Sequence, residues 1–351
     1  MKKLHLGNIN FEWELKNCST LPFKEAFHAH KHFLQLQFLP LLYARESDEV
    51  LVTHLPPEEF QNRLPLRLTS ATSFPKRELE TWGWSENGKK WADKRSVIYE
   101  PPLFQVVRRV ASKAYGFTHS PTLPDAHLFH SVEEAEKWAA KGPYPKVLKT
   151  CYDLAGMGRF LLSSAEDFLR FKQRIVNVFK EGHPLIGEPW VKRLLDFSTQ
   201  WTISKTGAIT YLGATIMENK SSGQYKKTIV GEEKSLFASY APFLGQHLEK
   251  VKGPLSRITS EGYFGHLGID AMVYHHPTKK DKLLHPIVEF NLRKTMGFLA
   301  LKLFEKQSFP FVELSYVSKQ GPGLLPHFLT TSNGDKIFFQ KQLELQSKRN
   351  R

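Results

Sequence analysis

Cysteine is nearly absent from this chain: Cys18 and Cys151 are the only two, and they lie far apart. Such a pair makes no disulfide framework, which excludes the small stapled secreted scaffolds and fits a reducing compartment. Long apolar runs are missing as well. The longest, Phe38-Leu-Pro-Leu-Leu-Tyr43, is too short to span a bilayer and is broken by proline, so no membrane partner is expected. The opening Met1-Lys-Lys-Leu-His-Leu-Gly-Asn-Ile-Asn-Phe-Glu-Trp-Glu alternates and carries acids, unlike the continuous apolar core of a secretion signal. A cytoplasmic protein is the expectation. Repeats and low-complexity tracts are absent too.

Acidic residues are in deficit: 35 Asp and Glu stand against 49 Lys and Arg, a formal net charge of +14. A protein of that sign attracts polyanions, so nucleotide phosphates, an acidic substrate or nucleic acid would each qualify as partner. The lysines are nonetheless dispersed. Their densest group, Lys279-Lys280-Asp-Lys282, reads as a solvated hairpin tip, and Lys348-Arg349-Asn-Arg351 as a frayed basic tail. With 351 residues, 41% hydrophobic and 13% aromatic, the chain can build two or three packed domains without staples.

The most informative stretch is Gly-Ile-Asp270-Ala-Met-Val-Tyr, a lysine-rich gap, then His-Pro-Ile-Val-Glu289-Phe-Asn291-Leu-Arg293. Alternate side chains of a strand share a face, so Glu289, Asn291 and Arg293 should point one way, and Asp270 joins them if the two strands pair. Two carboxylates and an amide oxygen are the oxygen set of a hard cation such as Mg²⁺ or Mn²⁺, with a guanidinium beside them for phosphate. Alone, the same residues also describe a solvated strand face with an ion pair.

Upstream segments supply the context. Tyr-Pro-Lys146-Val-Leu-Lys149-Thr is an apolar strand ending in lysine, Leu-Ala-Gly156-Met-Gly158-Arg159 a glycine loop, and Leu-Ile-Gly-Glu188-Pro-Trp190-Val191 a further strand with Asp196 beyond it. In this order, over roughly residues 96 to 310, the segments resemble the ATP-grasp superfamily. The resemblance implies that Lys149 and the Gly156–Gly158 loop bind ATP phosphates. It also implies that Glu188, Trp190 and Val191 receive adenine, that Asp196 holds ribose, and that Asp270, Glu289 and Asn291 hold the metal. Arg293 and Lys149 would then stabilise phosphoryl transfer.

Some positions depart from the pattern. A second phosphate-binding lysine would fall near Gln105, with Arg108 and Arg109 one helical turn onward able to reach the same region. Relatives of the D-alanine ligase type often carry an arginine where this chain has Gly268, a gap that Arg293 could fill. Lys220, Lys226 and Lys227, in a polar loop, are further candidates for phosphate or carboxylate contacts.

Before these segments, Asp48-Glu-Val-Leu-Val-Thr53 followed by Leu-Pro-Pro-Glu-Glu-Phe reads as a strand running into a proline-started helix. Leu4 to Leu15 reads as a strand, with further apolar segments at Phe33 to Tyr43 and Leu66 to Ala71; later in the chain a long amphipathic helix is expected from about Ser235 to Thr259, and a closing hairpin through Asn333-Gly-Asp. His28, His30 and His32 would align if extended, a zinc-capable geometry, although no second cluster completes it. Trp82, Trp84 and Trp91 read as packing between domains or a substrate wall.

The expectation is an α/β chain of ATP-grasp fold: a small N-terminal α/β domain over 1–95, one clasping lobe over 96–190, and a second over 191–351 with the metal site. The implied activity is ATP- and Mg²⁺-dependent ligation of a small-molecule or peptide carboxylate to an amine through an acyl phosphate. A phosphotransferase, or a non-catalytic nucleotide- or nucleic-acid-binding protein, stays open as the alternative. Neither the substrates nor the oligomeric state are written in these motifs.

Overall fold

Three β-sheets organise the chain in the computed structural model, which describes residues 2–17, 31–70, 77–152, 158–220, 223–276, 278–319, 321–331 and 333–348. The first sheet is parallel, in the order β3-β2-β1-β4, from β1 (Lys3–Leu6), β2 (Glu49–Leu51), β3 (Arg67–Thr69) and β4 (Glu78–Thr81). Parallel strands bury both faces, and Leu4, Leu6, Val50 and Leu79 are buried accordingly.

The expected strand from Leu4 to Leu15 stops at Leu6. A Cβ on Gly7 would lie 2.5 Å from the Gln37 carbonyl oxygen. Asn8 then turns back to the end of β4, its Oδ1 accepting from Trp82 N at 2.8 Å and its Nδ2 donating to Gly83 O at 2.8 Å. Phe11, Glu14 and Leu15 are buried with i, i+3, i+4 spacing, so Phe11–Asn17 is a helix. The stretch from Phe33 to Tyr43 is helical too, as Lys31–Leu36 and a 3-10 turn over Leu39–Leu42. Behind β2, the short helix Glu58–Gln61 starts directly after Pro57.

The second sheet is antiparallel, β5-β8-β6-β7, built from β5 (His127–Phe129), β6 (Lys146–Thr150), β7 (Arg159–Leu162) and β8 (Leu185–Pro189). Helices Val132–Ala139 and Glu166–Lys180 cover it, with Phe129, Trp138, Phe160 and Phe168 in their common core.

The third sheet has seven antiparallel strands in the order β13-β12-β9-β10-β11-β14-β17. They are β9 (Arg193–Ile203), β10 (Ile209–Asn219), β11 (Tyr225–Gly231), β12 (Gly265–His275), β13 (Lys282–Asn291), β14 (Phe311–Ser318) and β17 (Lys341–Lys348). One face, through Phe197, Ile216, Ile229 and Val273, packs against Leu244 of the long helix Ala241–Ser260. That helix begins later than the Ser235 its periodicity suggests, because a separate turn, Glu233–Leu236, precedes it. The opposite face carries Asp270. Near the end, β15 (Phe328–Thr330) and β16 (Lys336–Phe338) form the hairpin expected there.

The first sheet is tied directly to the third. Trp84 Nε1 donates to Phe264 O at 2.7 Å, Gly83 bridges to Arg293, and buried Lys294 reaches Thr81 O at 2.9 Å and Glu80 at 3.0 Å. Among the described residues no helix is long and apolar enough to cross a membrane. Cys151 is buried; Cys18, His28 and His30 lie outside the described residues, and the side chain of His32 does also.

Candidate active site

Antiparallel register sets the centre of the site. Asp270 lies directly opposite Glu289 and Gly268 opposite Asn291, so the two carboxylates and the amide share one face at the edge of the third sheet. Asn291 Nδ2 donates to Asp270 Oδ2 at 3.1 Å, and Ser198, the cross-strand neighbour on β9, favours the charged Asp270 carboxylate. Burial, and then the Glu289 charge, push Asp270 well above the ordinary carboxylate range. Burial works the same way on Glu289 but is outweighed by Lys113 and Arg293, which hold it ionised and low. The two carboxyls are therefore pushed in opposite directions, Glu289 toward the charged form and Asp270 away from it.

The cations come from separate elements. Lys113, at the start of helix Lys113–His119, sits 3.1 Å from Glu289. The spacing that points to Gln105 does not anticipate this lysine, because the helix Phe104–Ala111 ends at Ala111 and a second one begins two residues later. Arg108 and Arg109 do not reach the carboxylates. Arg108 Nε donates to Leu15 O at 2.8 Å, and Arg109 is held by Glu261 at 2.7 Å.

Arg293 falls outside the alternation. Because β13 ends at Asn291, the chain has turned before Arg293, and its guanidinium pairs with Glu12 of the first helix. It still acts electrostatically on Asp270 and Glu289. Gly268 cannot host the arginine of the D-alanine ligase type, since a Cβ there would sit 2.7 Å from Thr295 Cγ2.

On the second sheet, Lys149 and Glu188 lie on adjacent antiparallel strands and pair at 2.7 Å, each side chain about nine-tenths buried. Burial opposes the Glu188 charge, but Lys149 and then His285 of β13 pull its carboxyl below the usual range. Lys149 also acts on Glu289, so this sheet meets the third at the carboxylate end. Lys146 serves packing instead: it is buried, donates to Trp138 O at 2.9 Å and lies over the Trp138 ring.

Next to this pair is a cleft of about 620 Å³ lined by Trp190, Val191, Arg193, Asp196, Asn219 and others. Arg193 stacks over Trp190, and Asp196 accepts from Asn219 Nδ2 at 2.9 Å. Asp196, Ser198 and Asp270 fall on one face by register, so cleft and carboxylates share a floor. Gly158 sits at the mouth of β6 and β7, its carbonyl accepting from Thr150 N at 2.8 Å, while Gly156 lies outside the described residues. Lys227 is committed elsewhere, to Glu313 at 2.9 Å and Glu218 at 3.2 Å, and Lys226 lies 3.8 Å from Glu218. Lys220 is exposed at the cleft rim.

The second sheet brings Lys149 to the carboxylate end of the third, and the parallel first sheet docks on the third through Lys294 and Trp84. The chain is a protein of the ATP-grasp fold. Phosphoribosylamine–glycine ligase from Thermotoga maritima superposes with a TM-score of 0.61 and 13% identity, covering 100% of this chain and 93% of that one. Biotin carboxylase from Campylobacter jejuni, solved as a β-γ-ATP complex, gives 0.51 and 12% over 78% of this chain and 71% of that one. The chain spans 66% of the biotin carboxylase domain of Hydrogenobacter thermophilus 2-oxoglutarate carboxylase, just under two thirds, with 16% identity over 73% of this chain and a TM-score of 0.48. No family model and no curated protein matches the sequence.

Proposed function

We propose that the protein is an ATP- and Mg²⁺-dependent ligase that joins a carboxylate to an amine. The observation that carries this reading is the facing, half-buried pair Asp270 and Glu289, set beside buried Asn291 and ringed by Lys113, Arg293 and Lys149. Among the described residues no three His, Cys, Asp or Glu side chains gather to cage a metal. Magnesium does not require such a cage, because it commonly takes one or two carboxylates and fills its shell with phosphate oxygens and water. The upward push on Asp270 marks negative charge that a cation would relieve, so the donor set fits. Bound there by Asp270, Glu289 and Asn291, the metal would neutralise the triphosphate.

The chain's own groups divide the remaining work. Trp190, Val191 and Asp196 would receive the nucleoside, with Glu188 accepting from the base. Lys149, Arg293, and the Gly156 and Gly158 turn would hold the phosphates. A substrate carboxylate oxygen attacks the γ-phosphorus in line, and the bond to ADP breaks. The amine nitrogen then bonds to the acyl carbon and inorganic phosphate departs, with the amine proton passing to solvent. Resemblance in fold to the phosphoribosylamine–glycine ligase and to the biotin carboxylase supports nucleotide chemistry at this site.

The test is phosphate release from Mg-ATP across a pool of amino acids and small peptides. Acceptor-dependent release is expected, and Glu289→Gln should lower it at least about 100-fold by weakening the metal site. Unchanged ATP consumption in that variant would contradict the assignment.

A further inference from the structure

The cleft floor of the third sheet carries a polar row where apolar side chains would pack as well. Ser198, Gln200 and Thr215 are all buried there, and Thr295 closes the row from beyond β13. Their contacts run in one direction. Phe298 N donates to Thr295 Oγ1 at 3.1 Å as the cap of helix Met296–Phe304, and Thr295 Oγ1 donates onward to Gln200 Oε1 at 2.7 Å. Gln200 Nε2 then donates to Ser198 Oγ at 2.8 Å, and Ser198 stands directly opposite Asp270 on the same face of the paired strands β9 and β12, its hydroxyl favouring the charged carboxylate.

The slot around the amide is cut to fit it. A Cβ on Gly297 would sit 2.7 Å from Gln200 Nε2, and one on Gly268 would sit 3.3 Å from Gln200 Oε1. Glycine on both sides lets the backbone approach a planar side chain that no other group could occupy without moving. The polarity of the relay matters as much as its shape. With the amide flipped, its oxygen would face Ser198 and draw the serine proton away from Asp270. With the amide as placed, Gln200 can only donate to Ser198, which leaves the hydroxyl hydrogen for the carboxylate.

Resting on the reading given above, we propose that Gln200 is a positioning residue that fixes the Asp270 carboxylate for its divalent cation, acting through Ser198 and itself fixed by Thr295. The residue touches neither metal nor nucleotide. Its effect is to hold one oxygen ligand in a set orientation, with Asn291 Nδ2 holding it from the other side. Partners of this kind behind metal ligands are typically worth about 10- to 100-fold in metal affinity.

The test compares wild type with Gln200→Glu, Ser198→Ala and the conservative Thr295→Ser. Mn²⁺ binding in the presence of ATP is followed by the paramagnetic resonance of free Mn²⁺. ATP binding in EDTA is measured separately by calorimetry, and stability by urea unfolding. In Gln200→Glu both side-chain oxygens accept, so Ser198 turns from Asp270; in Ser198→Ala the link is cut. Both should weaken Mn²⁺ about 10- to 100-fold with metal-free ATP affinity unchanged, and Thr295→Ser should bind as wild type. Wild-type Mn²⁺ affinity in the first two variants overturns the proposal alone. So does a parallel loss of metal-free ATP binding and stability, which marks a purely structural role. Absence of Mn²⁺ uptake by the wild type with ATP would overturn the site reading, and this proposal with it.

Discussion

His247 is buried with both ring nitrogens committed, which leaves it one protonation state. Nδ1 lies 2.8 Å from the Pro286 carbonyl oxygen, which only accepts, so Nδ1 carries the hydrogen. Nε2 lies 2.8 Å from Thr199 Oγ1, and that oxygen already accepts from Trp201 Nε1 at 2.9 Å, so its own hydrogen is free to point at Nε2. Burial, against the pull of the Pro286 carbonyl, pushes the imidazole down to about 4. Because the unfolded histidine takes up a proton near pH 6.5 and the folded one does not, the unfolded state binds more protons in between. The contribution of His247 to stability is thus fully present above about pH 6.5 and is lost as pH falls toward its folded value. Replacing it with Gln should therefore cost most at pH 7, and the gap to wild type should shrink by about 1.4 kcal/mol per pH unit down to about pH 4. Urea titrations of both proteins at four pH values check this; a gap independent of pH refutes it. Residues of this kind are invisible in sequence. That Asp270, Glu289 and Asn291 share a face can be read from alternation, but Lys113 reaches Glu289 only through the break between two helices, and Glu12 captures Arg293 because β13 ends two residues too soon.

At the scale of elements, β12 shows how a departure from a family pattern acquires a structural reason. Gly268 lies between Gln200 on β9 and Asn291 on β13, and its missing side chain is what lets Thr295 pack down over the strand. Gly268→Ala places a methyl carbon 2.7 Å from Thr295 Cγ2, an overlap that should cost about 1–3 kcal/mol in urea unfolding, and Gly268→Arg more. If Gly268→Arg were instead neutral for stability, the close packing described here would be wrong. Strands β12 and β13 of the third sheet were legible because each alternates over many residues, and so was the β15–β16 hairpin from its Asn333-Gly-Asp turn, whereas β11 was not, because its first residues fall in a lysine-rich stretch that reads as a polar loop. The segment Leu4–Leu15 was misread for the opposite reason: four strand residues, a turn and a short helix imitate period two when the window is too narrow to register period 3.6.

At the scale of the whole molecule, the ATP-grasp segments could be ordered along the sequence because each carries its own local pattern. How the N-terminal sheet would dock could not, since docking depends on single side chains reaching across from distant segments. Lys294 is the deepest of these. It leaves the end of β13, enters the N-terminal sheet and is 2% exposed, with Glu80 at 3.0 Å and Thr81 O at 2.9 Å as its partners. Around Glu80, burial opposes the charge, while Lys294, His5 and Lys3 hold the carboxyl far below its usual range. Removing Lys294 leaves Glu80 with Lys3 and His5 as its partners, removing Glu80 leaves Lys294 buried and uncompensated, and removing both exchanges charge for packing. Glu80→Leu alone should therefore cost about 3–5 kcal/mol, Lys294→Met less, and the double variant Lys294→Met, Glu80→Leu should recover most of the Glu80→Leu loss. The same cut weakens the link between sheets. Trp82 and Trp84 sit at the junction, so with the other five tryptophans replaced by Phe the Lys294→Met variant should lose its fluorescence transition at lower urea than far-ultraviolet circular dichroism, against coincident transitions expected without that substitution. Coincident transitions in Lys294→Met with stability unchanged would mean that the N-terminal sheet is held by its apolar contacts alone.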